Sequence, residues 1–206
     1  QISYLLYLLG ININTVPTLD IRRKKSNNVI GDRAYSDNKK NVSLIGENVI
    51  KNFHKCKIAT VIKHIPGHGL SKVDSHFKLP IINKTYSYLK NYDFAPFKKK
   101  DSIFAMTGHL LYKKIDPNNC STHSKKIIKI IRKDIGFKKI IISDDISMKA
   151  LKYSISKNTT KAFIAGCNIV LHCNGNLKEM QEVAHNSPLI SKFIVDKTSQ
   201  FRKIIS

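Results

Sequence analysis

Ile58-Ala59-Thr60-Val61-Ile62-Lys63-His64-Ile65-Pro66-Gly67-His68-Gly69 is the stretch on which the choice of fold turns. Its first half, Ile58 to Ile62, is apolar and rich in β-branched residues, the pattern of a short strand buried on both faces. At Lys63 the character changes at once. Two titratable groups are followed by Pro66, Gly67, His68 and Gly69, which is loop composition. The loop runs on through Asp74 and His76 to Pro80 and holds three of the chain's eight histidines. Loops carried on a rigid scaffold are where binding and catalysis concentrate.

The same unit recurs. Segments Ile11 to Ile21, Ile58 to Lys63, Ile103 to His109, Lys139 to Ser143 and Asn168 to His172 are short, apolar and β-branched. A polar or Gly-rich loop and then a helical pattern follow each, at a repeat of roughly 30 to 45 residues, the size of a strand-helix unit in a parallel α/β fold. The expected helices are one capped by Ser36 or Asp37 and ending near Phe53, one from Asn83 to Phe97 bent or ended by Pro96, and one capped by Ser121 or Thr122 and stopped by Gly136. Three more are expected over 147–165 (stopped by Gly166), Leu177 to His185, and Leu189 to Ile205.

Two architectures accommodate such units, an open doubly wound sheet and part of a (β/α)8 barrel. Nearly every strand ends in a chemical residue: Asp20, Lys63-His64, His109, Asp144 and His172. Polar groups converging from many strand ends are a barrel property, whereas a doubly wound sheet gathers its ligand at one switch point. Neither G-x-G-x-x-G nor G-x-x-x-x-G-K-[ST] occurs. The expectation is an α/β chain folded as one domain over residues 1–206: a (β/α)8 TIM barrel, incomplete at its amino end, with about five of eight strand-helix units.

The chain has 206 residues, a hydrophobic content of 42% and a formal charge of +22. That is globular composition with a pronounced basic excess. The basic residues are mostly Lys, scattered as Lys39-Lys40, Lys98 to Lys100, Lys125-Lys126 and Lys138-Lys139, and no Arg-rich patch interleaved with aromatics appears. They read as solvated faces rather than a specific nucleic-acid surface, although weak, salt-sensitive polyanion binding is compatible with them. Cys56, Cys120, Cys167 and Cys173 form no C-x-x-C pair or zinc spacing and read as reduced thiols of a cytoplasmic protein. The apolar run Ile2 to Leu9 is shorter than the about 20 residues that span a bilayer, and no basic region precedes it. No membrane span is expected, and the chain, opening on Gln1 in mid-pattern, reads as a fragment or trimmed piece, monomeric in solution.

Four constellations carry possible chemistry. Asp74 and His76 can form a carboxylate–imidazole pair, in which the carboxylate fixes the tautomer and raises the basicity of the far nitrogen; D-x-H also arises by chance. Asp144 and Asp145 follow a wholly apolar strand, so one can be a nucleophile or ligand while the other caps a helix, or both can simply start a helix. His64, His68, Asp74, His76 and Asp144 contain ligand types, but in a Gly-Pro loop with no H-x-x-x-H, and no metal or other cofactor is expected. Arg33, in Gly31-Asp32-Arg33-Ala34-Tyr35, can hold hydroxyls or a carboxylate, or be a surface charge.

Together these blocks resemble glycoside hydrolase family 3, and within it the bacterial β-N-acetylglucosaminidases of peptidoglycan recycling. Lys63 to His76 resembles the K-H-[FI]-P-G-H-G-x4-D-S-H hallmark, and Ser143 to Met148 resembles S-D-D-[LI]-S-M. Gly31 to Tyr35 is similar to Gly-[DE]-Arg-[SA]-Tyr, and Pro17 to Asp20 to a Pro-x-Leu-Asp strand end, in the family's order. The resemblance implies a retaining hydrolase acting on a small carbohydrate substrate. Asp144 would be the nucleophile, His76 the acid/base and Asp74 its dyad partner, with Arg33, Lys63 and His64 holding the terminal sugar. In most retaining enzymes a second carboxyl group does the work assigned here to His76. Gly67 and Gly69 would let the loop swing. The family's barrel begins with about three more units, which carry an Asp and an Arg that grip the sugar; Asp20 does not take that Asp's place. Alone, the chain is expected to be poorly stable and nearly inactive. An inactive remnant, a basic polyanion-binding scaffold, and an enzyme using phosphate as second-step acceptor are the alternatives.

Overall fold

The computed structural model describes residues 1–24 and 28–205. Helix α1 (Ile2–Leu8) leads into strand β1 (Ile13–Asn14), helix α2 (Lys39–Lys55), strand β2 (Ala59–Ile65), strand β3 (Ile81–Ile82), helix α3 (Tyr86–Asn91), strand β4 (Phe104–Thr107) and strand β5 (Leu111–Tyr112). Helix α4 (Lys125–Ile130), strand β6 (Ile140–Asp145), helix α5 (Ile155–Ala165), strand β7 (Ile169–Leu171), helix α6 (Leu177–His185) and helix α7 (Lys192–Ile205) complete the order. Among the described residues no helix is long and apolar enough to cross a membrane.

Five strands form one parallel sheet in the order β1-β2-β4-β6-β7, and β3 and β5 form a separate parallel pair. The order never reverses along the chain. A doubly wound sheet needs a reversal; an open sheet wound in one direction is a segment of a barrel. The expected barrel segment is what forms.

Both faces of the sheet are apolar. One carries Ile62, Ala105 and Ile141 against Val42 and Ile50 of α2, Ile127 and Ile128 of α4, and Ala162 and Ala165 of α5. The other carries Ala59, Val61, Phe104, Met106, Ile140 and Ile142, and onto it α7 brings Phe201 and Ile204. The Phe201 ring meets Phe104 edge-on at 5.7 Å. Double-sided burial explains why these strands read as unbroken apolar runs instead of alternating ones.

Local differences from the expected boundaries have physical causes. The regular part of β1 is two residues because Pro17 offers no N–H, yet the chain stays paired to β2: Val61 donates to Val16 C=O at 3.0 Å and Leu19 to Lys63 C=O at 2.7 Å. β2 runs past the expected end at Lys63 through His64 to Ile65, so His64 lies on the strand and not in the loop. Asn38, one residue beyond the expected cap, accepts the Lys40 N–H and starts α2. Gly46 in α2 lets the helix lie on Leu19; a Cβ there would stand 2.2 Å from Leu19 Cδ2. Residues 121–123 form a short 3-10 turn, and Ser124 caps α4, which widens into a π turn before Gly136 (φ 84°). The segment expected as one helix over 83–97 is α3 plus a 3-10 turn at Ala95–Phe97. α5 begins at Ile155, not near residue 147, because the chain after β6 is held in a turn by side chains.

Candidate active site

Asp20 organises the first half of the site. Its carboxylate lies at 0% exposure and accepts three N–H groups: His64 N–H at 3.2 Å, His68 N–H at 2.5 Å and His64 Nδ1–H at 2.7 Å. Burial alone would raise its pKa; the opposing pull of His64 and His68 outweighs burial and lowers it. With Nδ1 committed to Asp20, His64 leaves Nε2 for an incoming group. His68 lies 5.4 Å away, ring to ring, with Nε2 3.2 Å from Ser75 Oγ. Burial, then His64, pushes its pKa down to about 4, so it is neutral.

The glycines of this loop serve close approach. A Cβ on Gly69 would lie 2.2 Å from Ile21 C=O, and one on Gly67 (φ 144°) 2.8 Å from Asp93 C=O. Tyr112 Oη donates to Gly67 C=O at 2.6 Å. This first part of the loop is packed down, and the hinge expected at Gly67 and Gly69 is not where the packing leaves freedom.

The two carboxylates at the end of β6 have different partners. Asp145 accepts the Ser147 N–H (3.0 Å), the Ser147 hydroxyl (2.8 and 2.7 Å) and the Cys173 N–H (3.2 Å). It is the turn-former that delays α5. Asp144 Oδ1 accepts the Asp145 N–H at 2.9 Å, and its carboxylate lies within electrostatic reach of Lys63, His68 and His109. His109, fully buried and pushed toward neutrality by burial, donates Nε2–H to Asp145 C=O at 2.9 Å. Its Nδ1 must then accept from Thr122 Oγ1 (2.8 Å), and Thr122 in turn accepts from Thr107 Oγ1 (2.9 Å). That relay fixes the backbone on which Asp144 stands.

Lys63 is lowered in pKa first by burial and then by Arg33, while Asp144 and Asp20 pull the other way. The strand end therefore gathers two cations and two carboxylates. Lys63 Nζ donates to Thr15 Oγ1 at 3.3 Å, and the exposed Arg33 donates to Val29 C=O. Asp74 and His76 make the second dyad. His76 Nδ1 lies 2.7 Å from Asp74 Oδ1, and the His76 N–H donates to the same oxygen at 2.8 Å. Burial opposes ionisation of Asp74, but its hydrogen bonds with His76 outweigh burial and lower its pKa. His76 is open to solvent, with 62% of its side chain exposed, and its C=O accepts the Lys149 N–H at 3.3 Å. That bond ties the dyad's loop to the turn after Asp144.

Asp144, Lys63, Arg33, His64 and Asp20 thus come together; Asp74 and His76 stand on the adjoining loop. Among the described residues no group of three or more His, Cys, Asp or Glu is arranged to hold a metal ion. In the sequence His109 was visible only as a strand end, Thr122 as a candidate cap, and His68 as a loop residue weighed as a metal ligand. Asp20's cradle had no local signal, because its partners lie 44 and 48 residues away.

This arrangement has known counterparts. The sequence profile described as "Glycosyl hydrolase family 3 N terminal domain" matches residues 2–201. The chain belongs to glycosyl hydrolase family 3. Its relatives include a beta-hexosaminidase of Nitrosomonas eutropha, 33% identical over 183 residues (84% of this chain, 52% of the relative). Another, from Idiomarina loihiensis, is 31% identical over 186 residues (87% and 55%). The chain spans about half the length of these curated relatives. Among solved structures, a family 3 β-N-acetylglucosaminidase from Paenibacillus sp. superposes with a TM-score of 0.88 at 27% identity, covering all of this chain and 43% of that one. NagZ from Neisseria gonorrhoeae superposes with a TM-score of 0.85 at 28% identity, covering 97% and 58%. Family membership agrees with the barrel segment and with the resemblance carried by the two sequence blocks.

Proposed function

We propose that the chain is the site-bearing part of a retaining exo-β-N-acetylglucosaminidase. It removes terminal β-1,4-linked N-acetylglucosamine from muropeptide fragments in cytoplasmic peptidoglycan recycling, working as a monomer. Asp144 attacks the anomeric carbon to give a glycosyl-enzyme. His76 Nε2–H protonates the leaving oxygen, and the same nitrogen, once deprotonated, activates the water that releases the sugar. Asp74 holds the imidazole tautomer and stabilises its cationic form. Lys63, His64 and Arg33 hold sugar hydroxyls. The observation that supports this reading is the difference in partners at β6: Asp145 is taken up by Ser147 and Cys173, while Asp144 lies within electrostatic reach of Lys63.

The test is mass spectrometry of the protein after reaction with a 5-fluoro N-acetylglucosaminide carrying an activated leaving group. A covalent adduct on Asp144, absent from Asp144→Asn, is expected. An adduct elsewhere, or unchanged turnover of a chromogenic N-acetylglucosaminide by Asp144→Asn, overturns the assignment. A second reading, a catalytically silent basic scaffold, draws on the charge of +22. It requires polyanion binding that falls steeply with salt and no sugar binding.

A further inference from the structure

Lysines that are scattered along the sequence converge on one outer flank of the fold. Helix α4 and the turn after it put Ile127, Ile128 and Ile131 into the core and leave Lys125, Lys126, Lys129 and Lys133 exposed. Two cavities adjoin that exposed side and share Lys126. One, of about 440 Å³, lies between α3 and α4 and adds Lys114, just after β5. The other, of about 310 Å³, adds Lys161 from α5. Together they make one groove with six lysines along it. Lys63 and Asp144 follow Val61 and Ile142 by two residues and share their side of the sheet, not the side that α4 covers. The groove is therefore remote from the candidate active site.

Two features set the groove apart from an ordinary solvated face. Its charge has no answer within the fold. Among the described residues the lysine ion pairs, Lys51–Glu47 at 2.8 Å and Lys139–Asp101 at 2.6 Å, lie elsewhere. The two carboxylates in the groove are taken up locally. Asp116 accepts the Ser124 hydroxyl at 2.7 Å and the Asn118 and Asn119 N–H groups at 3.1 Å, and Asp134 accepts the Tyr86 hydroxyl at 2.8 Å. Lys125, Lys129 and Lys133 stand four residues apart, an arrangement in which like charges repel until an anion enters. The second feature is the apolar lining between the ammonium groups: Ile115, Ile130 and the Tyr86 ring in the larger cavity, Ile164 in the smaller. A chain of anions with flat apolar groups between them complements both features. Phosphates meet the lysines, and bases lie against Ile115, Ile130 and Tyr86. A flat bilayer does not reach into a concave groove, and an acidic peptide brings the charge without the flat faces.

We propose that the groove along α4 binds single-stranded nucleic acid through its phosphates, without sequence preference, at a place separate from the Asp144 site. This binding does not depend on whether the Asp144 site cleaves a glycoside.

The test is fluorescence anisotropy of a labelled single-stranded RNA of about twelve nucleotides, titrated with the full chain at salt concentrations from about 50 to 200 mM. A log–log salt slope of about −4 is expected if the six lysines each neutralise a phosphate. The variant Lys114→Gln/Lys126→Gln/Lys129→Gln/Lys133→Gln should flatten that slope to about −1 and weaken binding about a hundredfold at low salt. All four positions are exposed, and circular dichroism checks that the fold survives. The control Lys40→Gln/Lys55→Gln/Lys178→Gln/Lys192→Gln removes the same charge from other exposed positions and should weaken binding less than about threefold. Equal loss in the two variants makes net charge the whole cause and overturns the proposal, as does no binding at low salt. Displacement of the RNA by poly-glutamate or by phosphatidylglycerol vesicles at equal charge overturns the choice of nucleic acid. Displacement by N-acetylglucosamine puts the RNA at the Asp144 site and overturns the placement.

Discussion

Asp20–His64 and Asp74–His76 are the same chemical object in two settings. In each, imidazole Nδ1 lies 2.7 Å from a carboxylate oxygen, and the histidine's own N–H donates to the same carboxylate. The first pair has 0% and 9% of its side chains exposed, the second 29% and 62%. Burial converts the pair into framework: Asp20 gathers a third donor from His68 and holds the strand end and loop in one arrangement. Exposure leaves the second pair open to water, which the acid/base role proposed for it requires. Geometry alone does not decide what a carboxylate–imidazole pair does; its surroundings do.

The sharpest way to break that contrast is to delete each carboxylate. Asp20→Ala should cost about 3–5 kcal/mol, because it strands buried donors and an imidazole. Thermal or urea unfolding should show the loss as a large drop in midpoint or an inability to fold. Asp74→Ala should change stability by less than about 1 kcal/mol but slow turnover of a glycoside with a poor leaving group about a hundredfold. Equal destabilisation by the two would erase the distinction.

His76→Ala sharpens the catalytic side. Glycosylation should slow about a thousandfold for alkyl leaving groups and far less for activated aryl ones, since only the former need a proton. A loss independent of the leaving group would remove His76 from the acid role.

The buried side has its own signature in pH. His68 and His123 are held neutral, with pKa values pushed from 6.5 down to about 4. The unfolded chain takes up those protons at higher pH than the folded one does. Stability is therefore full above about pH 6.5 and falls as pH drops from there toward 4, by up to a few kcal/mol for each histidine. Denaturant midpoints measured across that window check the sign. A midpoint that rises on acidification would mean the imidazoles are charged in the fold. Last and smallest is Gly69→Ala, whose methyl would press on Ile21 C=O. A loss of about 1–3 kcal/mol is expected, with N-acetylglucosamine binding weakened alongside. A neutral result would show that this part of the loop yields.

Much of the fold was legible because double-sided burial writes itself as unbroken runs such as Ile140 to Ile142. The five main strands and most helices follow from such runs and from caps. β3 and β5 escaped, since two residues carry no periodicity. The last two residues of β2 escaped because His64, polar by type, continues a ladder that backbone bonds sustain. At the site, the residues read by themselves placed the carboxylates without ranking them, and the ranking of Asp144 as nucleophile came from the family resemblance alone. In the fold the two differ in their partners, since the Ser147 and Cys173 N–H groups reach Asp145. Asp20's role depends on a meeting of distant segments, which no local pattern announces.

The unreversed strand order also bears on how the chain is made. Every strand of the main sheet after β1 docks on a partner that left the ribosome earlier. The separations run from 46 residues between Ile13 and Ala59 to 27 between Ile142 and Ile169. The sheet can therefore accrete in the order of synthesis, each unit adding its layer to a finished edge. The carboxylate proposed as nucleophile is synthesised after Asp20, Lys63 and His109, so the polar groups around it precede it off the ribosome.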